Sequence, residues 1–186
     1  MKHLEAWHDI VIRKLFLALI LEDDPLFVPF FKEKFNRVIY TAIRTGALRI
    51  NKTCHNRPAK SIANNEWIQQ EPMLVIGACF DMHDKRSFQV SNRSAPPILS
   101  PQKQDPSRCA HAYLLTKCSA QALIKQISLN RVQVYTPDFL QNTLIKTSRI
   151  LQSFWLDPPL VYQGNRVDRD LDQIPTFKET KYNLPL

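Results

Sequence analysis

The chain has 186 residues, an apolar fraction of 44%, and 25 Lys and Arg against 17 Asp and Glu, for a net charge of +8. That apolar content builds a core in one domain and excludes wholesale disorder. Gly46, Gly77 and Gly164 are the only glycines, too few and too scattered for a phosphate-cradling glycine loop or for repeating β-architectures that turn on glycine. The longest apolar run, Leu15 to Leu21, falls far short of the roughly 20 residues that span a bilayer. Glu22, Asp23, Asp24 and Pro25 follow it, where a signal peptide would carry small residues. The expected setting is the cytoplasm, away from membranes, with the four cysteines as reduced thiols.

Leu4, Trp7, Val11, Leu15 and Ala18 fall at helical spacing, which predicts a first helix over 4–21 with an all-apolar, buried end. Asp24 then reads as an N-cap and Pro25 as the first position of a second helix. Phe27, Phe31, Phe35, Val38, Ile39 and Ala42 form its apolar stripe, and Gly46 closes it. Pro29 either kinks its start or marks it. A short strand over 47–51 and a polar turn to Pro58 follow, then a helix over 59–70 that ends before Pro72. Met73 to Phe80 reads as a buried strand, with a turn over 81–85 and a return strand over 86–90.

Residues 91–108 carry Pro96, Pro97, Pro101 and Pro106 among polar side chains and read as a long loop. A third helix is expected over 110–129 and a strand over 132–135. A further helix opens at Pro137, with Leu140, Leu144, Leu151 and Trp155 on its apolar side, and stops at Asp157-Pro158-Pro159. A small hairpin around Gln163-Gly164-Asn165 closes the chain. The fold class is α+β, a helix-dominated single domain with a small mixed or antiparallel sheet. Residues 1–156 make the basic domain and 157–186 a C-terminal extension.

Charge is uneven. Residues 34–156 hold 17 basic against 6 acidic side chains, and Lys34 to Asn65 contains no carboxylate. Such a run attracts polyanions. The expected phosphate contacts are Arg37, Arg44, Arg49, Lys52, Arg57 and Lys60, joined by Arg93, Lys103 and Arg108 from the proline-rich loop. Tyr40, His55 and Trp67 lie among them as rings for nucleic-acid bases to stack on.

All four cysteines and His55, His83 and His111 fall between residues 54 and 118. Zinc takes four such ligands, but no C-x-x-C pair is present, so the cysteines read as ordinary thiols. No cofactor and no small-molecule substrate is inferred. Cys54-His55 and the Asp81, His83, Asp84 group offer only weak chemistry. The functional expectation is therefore a non-enzymatic nucleic-acid-binding domain, RNA or DNA, in a larger assembly with other protein subunits. The alternatives are an adaptor whose basic face docks an acidic partner and, third, a nuclease.

Overall fold

In the computed structural model the described residues are 2–50, 54, 59–60, 67–68, 71–78, 96–101, 110–130, 137–147 and 151–164. A mixed sheet organises them. Its strands are β1 (Leu17–Leu21), β5 (Glu71–Val75), β7 (Ile98–Pro101), β8 (Ala112–Thr116) and β9 (Leu151–Asp157), in the order β1-β8-β5-β9-β7. β5 and β9 run parallel and the other neighbours antiparallel. A second sheet sets β10 (Val161–Gln163) between β2 (Pro25–Phe27) and β6 (Gly77–Ala78). A third pairs β3 (Ala59–Lys60) with β4 (Trp67–Ile68). The helices are α1 (Lys2–Ile12), α2 (Phe31–Thr45), α3 (Lys117–Asn130) and α4 (Pro137–Thr147).

Helices cover both faces of the five-stranded sheet. Val38 and Ala42 of α2, with Phe31, Phe35 and Ile39 alongside, pack on Leu17, Leu19, Leu74, Leu114, Phe154 and Leu156. Trp7 and Ile10 of α1, Ala120 and Leu123 of α3, and Leu144 of α4 pack on the opposite face, against Ile20, Met73, Val75, Tyr113, Leu115 and Leu151. Adjacent strand residues thus enter different cores, as a period of two requires. The fold is mixed α+β built on this sheet, and the helix-dominated expectation is corrected.

The corrections share a cause. A strand covered on both faces is apolar at every position and shows no alternation. Leu17–Leu21 and Ala112–Thr116 were both expected inside helices; the first is an edge strand of the five-stranded sheet and the second is its neighbour, with helices packed on both faces. Leu151 and Trp155 were expected on the last helix and sit on β9 instead. Both are packed toward the same helical layer as Leu140 and Leu144. A spacing of four fits one face of a strand as well as one face of a helix, so it could not separate the two.

α1 ends without a glycine. Lys14 takes φ 55°, the Leu15 amide donates to the Ile10 carbonyl and the Lys14 amide to the Val11 carbonyl, a Schellman closure with lysine in the left-handed position. Pro25 opens the edge strand β2 rather than a helix, a place where a missing N–H costs nothing. α2 begins only at Phe31, after Phe30 at φ 57°. Its end matches expectation: Gly46 at φ 79° caps it. Thr116 caps α3, its Oγ1 accepting from the Ser119 amide at 3.2 Å.

β5 and β6 match the strand expected over 73–80, and α4 begins at Pro137 as expected. Residues 47–50 form no strand, although Ala47 and Leu48 are buried. β3 and β4 replace the described parts of the helix expected over 59–70. β7 lies within the stretch expected to be loop. It is an edge strand whose Leu99 reaches the core. The return strand over 86–90, the strand over 132–135 and the far side of the hairpin at 165 lie outside the described residues. β10 is tied into the second sheet through both β2 and β6.

Candidate active site

The registers bring three strand ends together. Leu21 pairs with Ala112, Val75 with Tyr113 and Trp155, so β1, β5 and β9 all run toward the same end of the sheet. In open α/β sheets ligands bind outside such carboxyl ends. Here that end receives Glu22, Asp23 and Asp24 after β1, Ile76 and Gly77 after β5, and Asp157 closing β9. The second sheet is assembled there from β2, β6 and β10.

Backbone hydrogen bonds frame the acidic turn. The Glu22 amide donates to the His111 carbonyl at 2.9 Å and the Gly164 amide to the Asp24 carbonyl at 2.7 Å. The Ile76 amide donates to Ala112, the Leu160 amide to Ile76 and the Val28 amide to Leu160. With its backbone held this way, the turn leaves Asp23 exposed and Glu22 and Asp24 half-buried.

His111 stands behind the turn, fully buried. Its Nε2 lies 3.1 Å from the Val161 carbonyl. A carbonyl only accepts, so Nε2 carries the proton and Nδ1 faces the buried interior as an acceptor. Nδ1 has no hydrogen-bond partner among the described residues. Burial pushes the imidazole pKa below the usual histidine value, opposed by the Val161 carbonyl and the charges of Glu22 and Asp24. The ring packs so closely on Gly77 that a Cβ there would lie 2.6 Å from Nε2. Gly77 is thus needed for close approach.

A second chain of side chains holds Glu22. Its Oε1 lies 3.4 Å from His3 Nε2. His3 Nδ1 is 2.8 Å from the Tyr113 hydroxyl, which accepts from Trp7 Nε1 at 2.9 Å. Trp7 supplies the proton on that side, so the hydroxyl's own proton is available to His3 Nδ1, which leaves Nε2–H directed at Glu22. Burial holds the Tyr113 and Tyr162 hydroxyls well above the ordinary tyrosine pKa, so both remain protonated donors.

The opposite end of the sheet is closed differently. Cys54 and Cys118 form a disulfide there, which corrects the reading of these two as free thiols. Glu71 is buried and its pKa raised by desolvation, with the Arg49 charge opposing. Cys79 and Cys109 lie outside the described residues. Among the described residues no three His, Cys, Asp or Glu side chains converge as metal ligands, and no helix is long and apolar enough to cross a membrane.

The residues expected to bind phosphates do not form one described face. Arg37 and Arg44 lie exposed on the outer side of α2. Arg49 is only 7% exposed, near Glu71. Lys60 lies in β3, paired through the backbone with Trp67. Lys52, Arg57, Arg93, Lys103 and Arg108 lie outside the described residues. The group that sequence reasoning missed is Glu22-Asp23-Asp24. The available signal was an unbroken aliphatic run of strand length that stops at three acidic residues.

Residues 1–140 of the 186 match the family model described as glycosyltransferase family 25 (LPS biosynthesis protein). No curated protein matches the chain. The family match overturns the nucleic-acid-binding expectation, together with the RNA or DNA partner and the absence of a small-molecule substrate that went with it. A basic surface attracts any polyanion and does not say which one, so the charge map carried less than was read from it.

Proposed function

The chain belongs to glycosyltransferase family 25, and from that premise we propose that it transfers a sugar from a nucleotide-linked donor to a carbohydrate acceptor at the end of the sheet marked by Glu22, Asp23 and Asp24. The observation that carries this reading is the placement of the acidic turn. It follows the edge strand β1 at the joint carboxyl end of β1, β5 and β9, inside the segment that matches the family.

Glycosyl transfer breaks the bond between the anomeric carbon and a phosphate oxygen, and makes one to an acceptor hydroxyl, which loses its proton. The exposed Asp23 carboxylate is suited to take that proton or to fix donor hydroxyls. Glu22 and Asp24 are held from behind, by His3 and by the backbone of His111 and Gly164, so the turn presents its carboxylates in one arrangement. A neutral His111 adds no positive charge beneath them. The basic surface draws the anionic donor toward the protein. The family description, which names lipopolysaccharide biosynthesis, supports a glycan as acceptor.

The test is nucleotide release from a panel of UDP-, GDP- and CMP-sugars, with and without acceptor glycans. Wild-type protein is expected to turn over one donor class. Asp23→Asn and Asp24→Asn should lower turnover by about 100-fold or more with melting temperatures unchanged. Failure of wild-type protein to bind or cleave any donor, or full activity in both variants, overturns the reading.

A further inference from the structure

Trp7 has the marks of a packing residue. It lies on the apolar stripe of α1, is fully buried, and belongs to the same core as Ile10, Met73 and Leu123. Yet its indole N–H is spent on the Tyr113 hydroxyl, which also meets His3 Nδ1, and the other nitrogen of His3 faces Glu22. We propose that Trp7 and His3 are positioning residues for the transfer reaction. Through Tyr113, Trp7 decides which nitrogen of His3 carries the proton, and His3 in turn fixes the Glu22 carboxylate at the acidic turn. The proposal rests on the glycosyltransferase reading.

The identities of donor and acceptor leave one direction for this chain. An indole N–H only donates, and a carboxylate only accepts. With the Trp7 proton on the hydroxyl oxygen at 2.9 Å, the hydroxyl's own proton is directed to His3 Nδ1 at 2.8 Å. In its neutral form the imidazole carries one proton, which then sits on Nε2 and faces Glu22 Oε1 at 3.4 Å. The opposite tautomer would set a bare Nε2 against the carboxylate, two acceptors with no proton between them. The His3 and Tyr113 rings lie 5.7 Å apart and 16° from parallel, which fixes the plane of the imidazole as well. Burial keeps the Tyr113 hydroxyl protonated, so the chain holds protons in place and does not pass them on.

The fold places these groups for the task. His3 and Trp7 are an i,i+4 pair on one ridge of α1. Tyr113 pairs with Ile20 on β1, two residues before Glu22, so the chain runs from the helical layer to the carboxyl end of β1. It also divides the labour of the turn. Glu22 becomes the fixed carboxylate, suited to orienting substrate hydroxyls, and the exposed Asp23 remains the one suited to proton transfer.

The first test needs no substrate. Heteronuclear NMR of protein labelled at the histidine ring nitrogens, recorded above the histidine titration range, reads which nitrogen is protonated. The His3 signals are assigned by their absence in His3→Gln. The expected result is a proton on Nε2 in wild type and a mixture of tautomers in Trp7→Phe and Tyr113→Phe. The second readout is turnover of the preferred sugar nucleotide per folded molecule. Trp7→Phe and Tyr113→Phe should each lower kcat about tenfold, the worth of one hydrogen bond, with the donor KM unchanged. His3→Gln, whose amide keeps a donor for Glu22, should retain most of the turnover that His3→Leu loses. In a Glu22→Gln background His3→Leu should cost nothing more. A proton on Nδ1 of His3 in an active wild-type enzyme overturns the positioning role alone. So does an unchanged kcat in both phenylalanine variants, or additive losses for His3→Leu and Glu22→Gln. The expected tautomer in a protein that cleaves no donor would instead defeat the transferase reading, and the positioning role with it.

Discussion

The two ends of the central sheet solve opposite problems. At the acidic end, main-chain hydrogen bonds from Glu22, Ile76, Leu160 and Gly164 hold the segments together, and the Asp23 carboxylate is left facing water. At the far end, a disulfide, a capped helix and two buried charged side chains close the structure, with Arg49 and Glu71 both under a tenth exposed. One end ties its turn down through the backbone and the His3–Glu22 contact and leaves the Asp23 side chain exposed. The other gives its polar side chains to the fold. Substitutions at the two ends should accordingly separate activity from stability.

The largest expected effect is at the far end. Opening the Cys54–Cys118 bond, by reduction or by Cys54→Ser with Cys118→Ser, releases a crosslink between residues 64 apart in sequence. The chain-entropy relation puts the loss near 4 kcal/mol. Denaturant unfolding measures it, and turnover per folded molecule should be unaffected. Equal stability of oxidised and reduced protein would erase the contrast between the ends.

Gly77→Ala comes next, at the acidic end. The new methyl meets the His111 ring and Ala112 at 2.6–2.9 Å, and overpacking of this kind costs about 1–3 kcal/mol. Because His111 supports the turn through its carbonyl, activity should fall more than the folded fraction does. Parallel losses of activity and folded protein would mean that the frame serves stability only.

His111 sharpens the comparison through pH. Its folded pKa lies below the unfolded value of 6.5. The unfolded chain therefore binds a proton that the native protein refuses, and stability is lost as pH falls below 6.5, by at most about 1.4 kcal/mol per pH unit. His111→Gln, which keeps a donor for Val161, should flatten that limb of the stability profile. Glu71 shows the reverse behaviour. Its folded pKa lies above 4.5, so stability declines as pH rises from 4.5 through the folded value, and Glu71→Gln should remove the decline. A pH profile identical to wild type in both variants would detach these groups from the account.

How much of this was legible depended on what lay on each side of an element. α2 could be read because one face meets solvent and Gly46 ends it. β5 could be read because a short apolar run is bounded on both sides. β1 and β8 could not, since helices on both faces erase the alternation that marks a strand, and Lys14 closes α1 in a position where glycine is the usual signal. The misread strand then hid the acidic turn: Glu22 to Asp24 looked like the end of one helix and the cap of the next. Arg49 was counted with the surface cations because charge counts carry no information about burial. The disulfide depended on the pairing of two sites far apart in the chain, which no local pattern records.

The central claim is that the acidic end does the chemistry and the far end holds the fold. It is tested most directly by measuring nucleotide release from the preferred sugar nucleotide for Asp23→Asn and Glu71→Gln side by side, normalised to folded protein. The account predicts a loss of about 100-fold for Asp23→Asn and wild-type turnover for Glu71→Gln. Wild-type turnover in Asp23→Asn, or an equal loss in both variants, would contradict it.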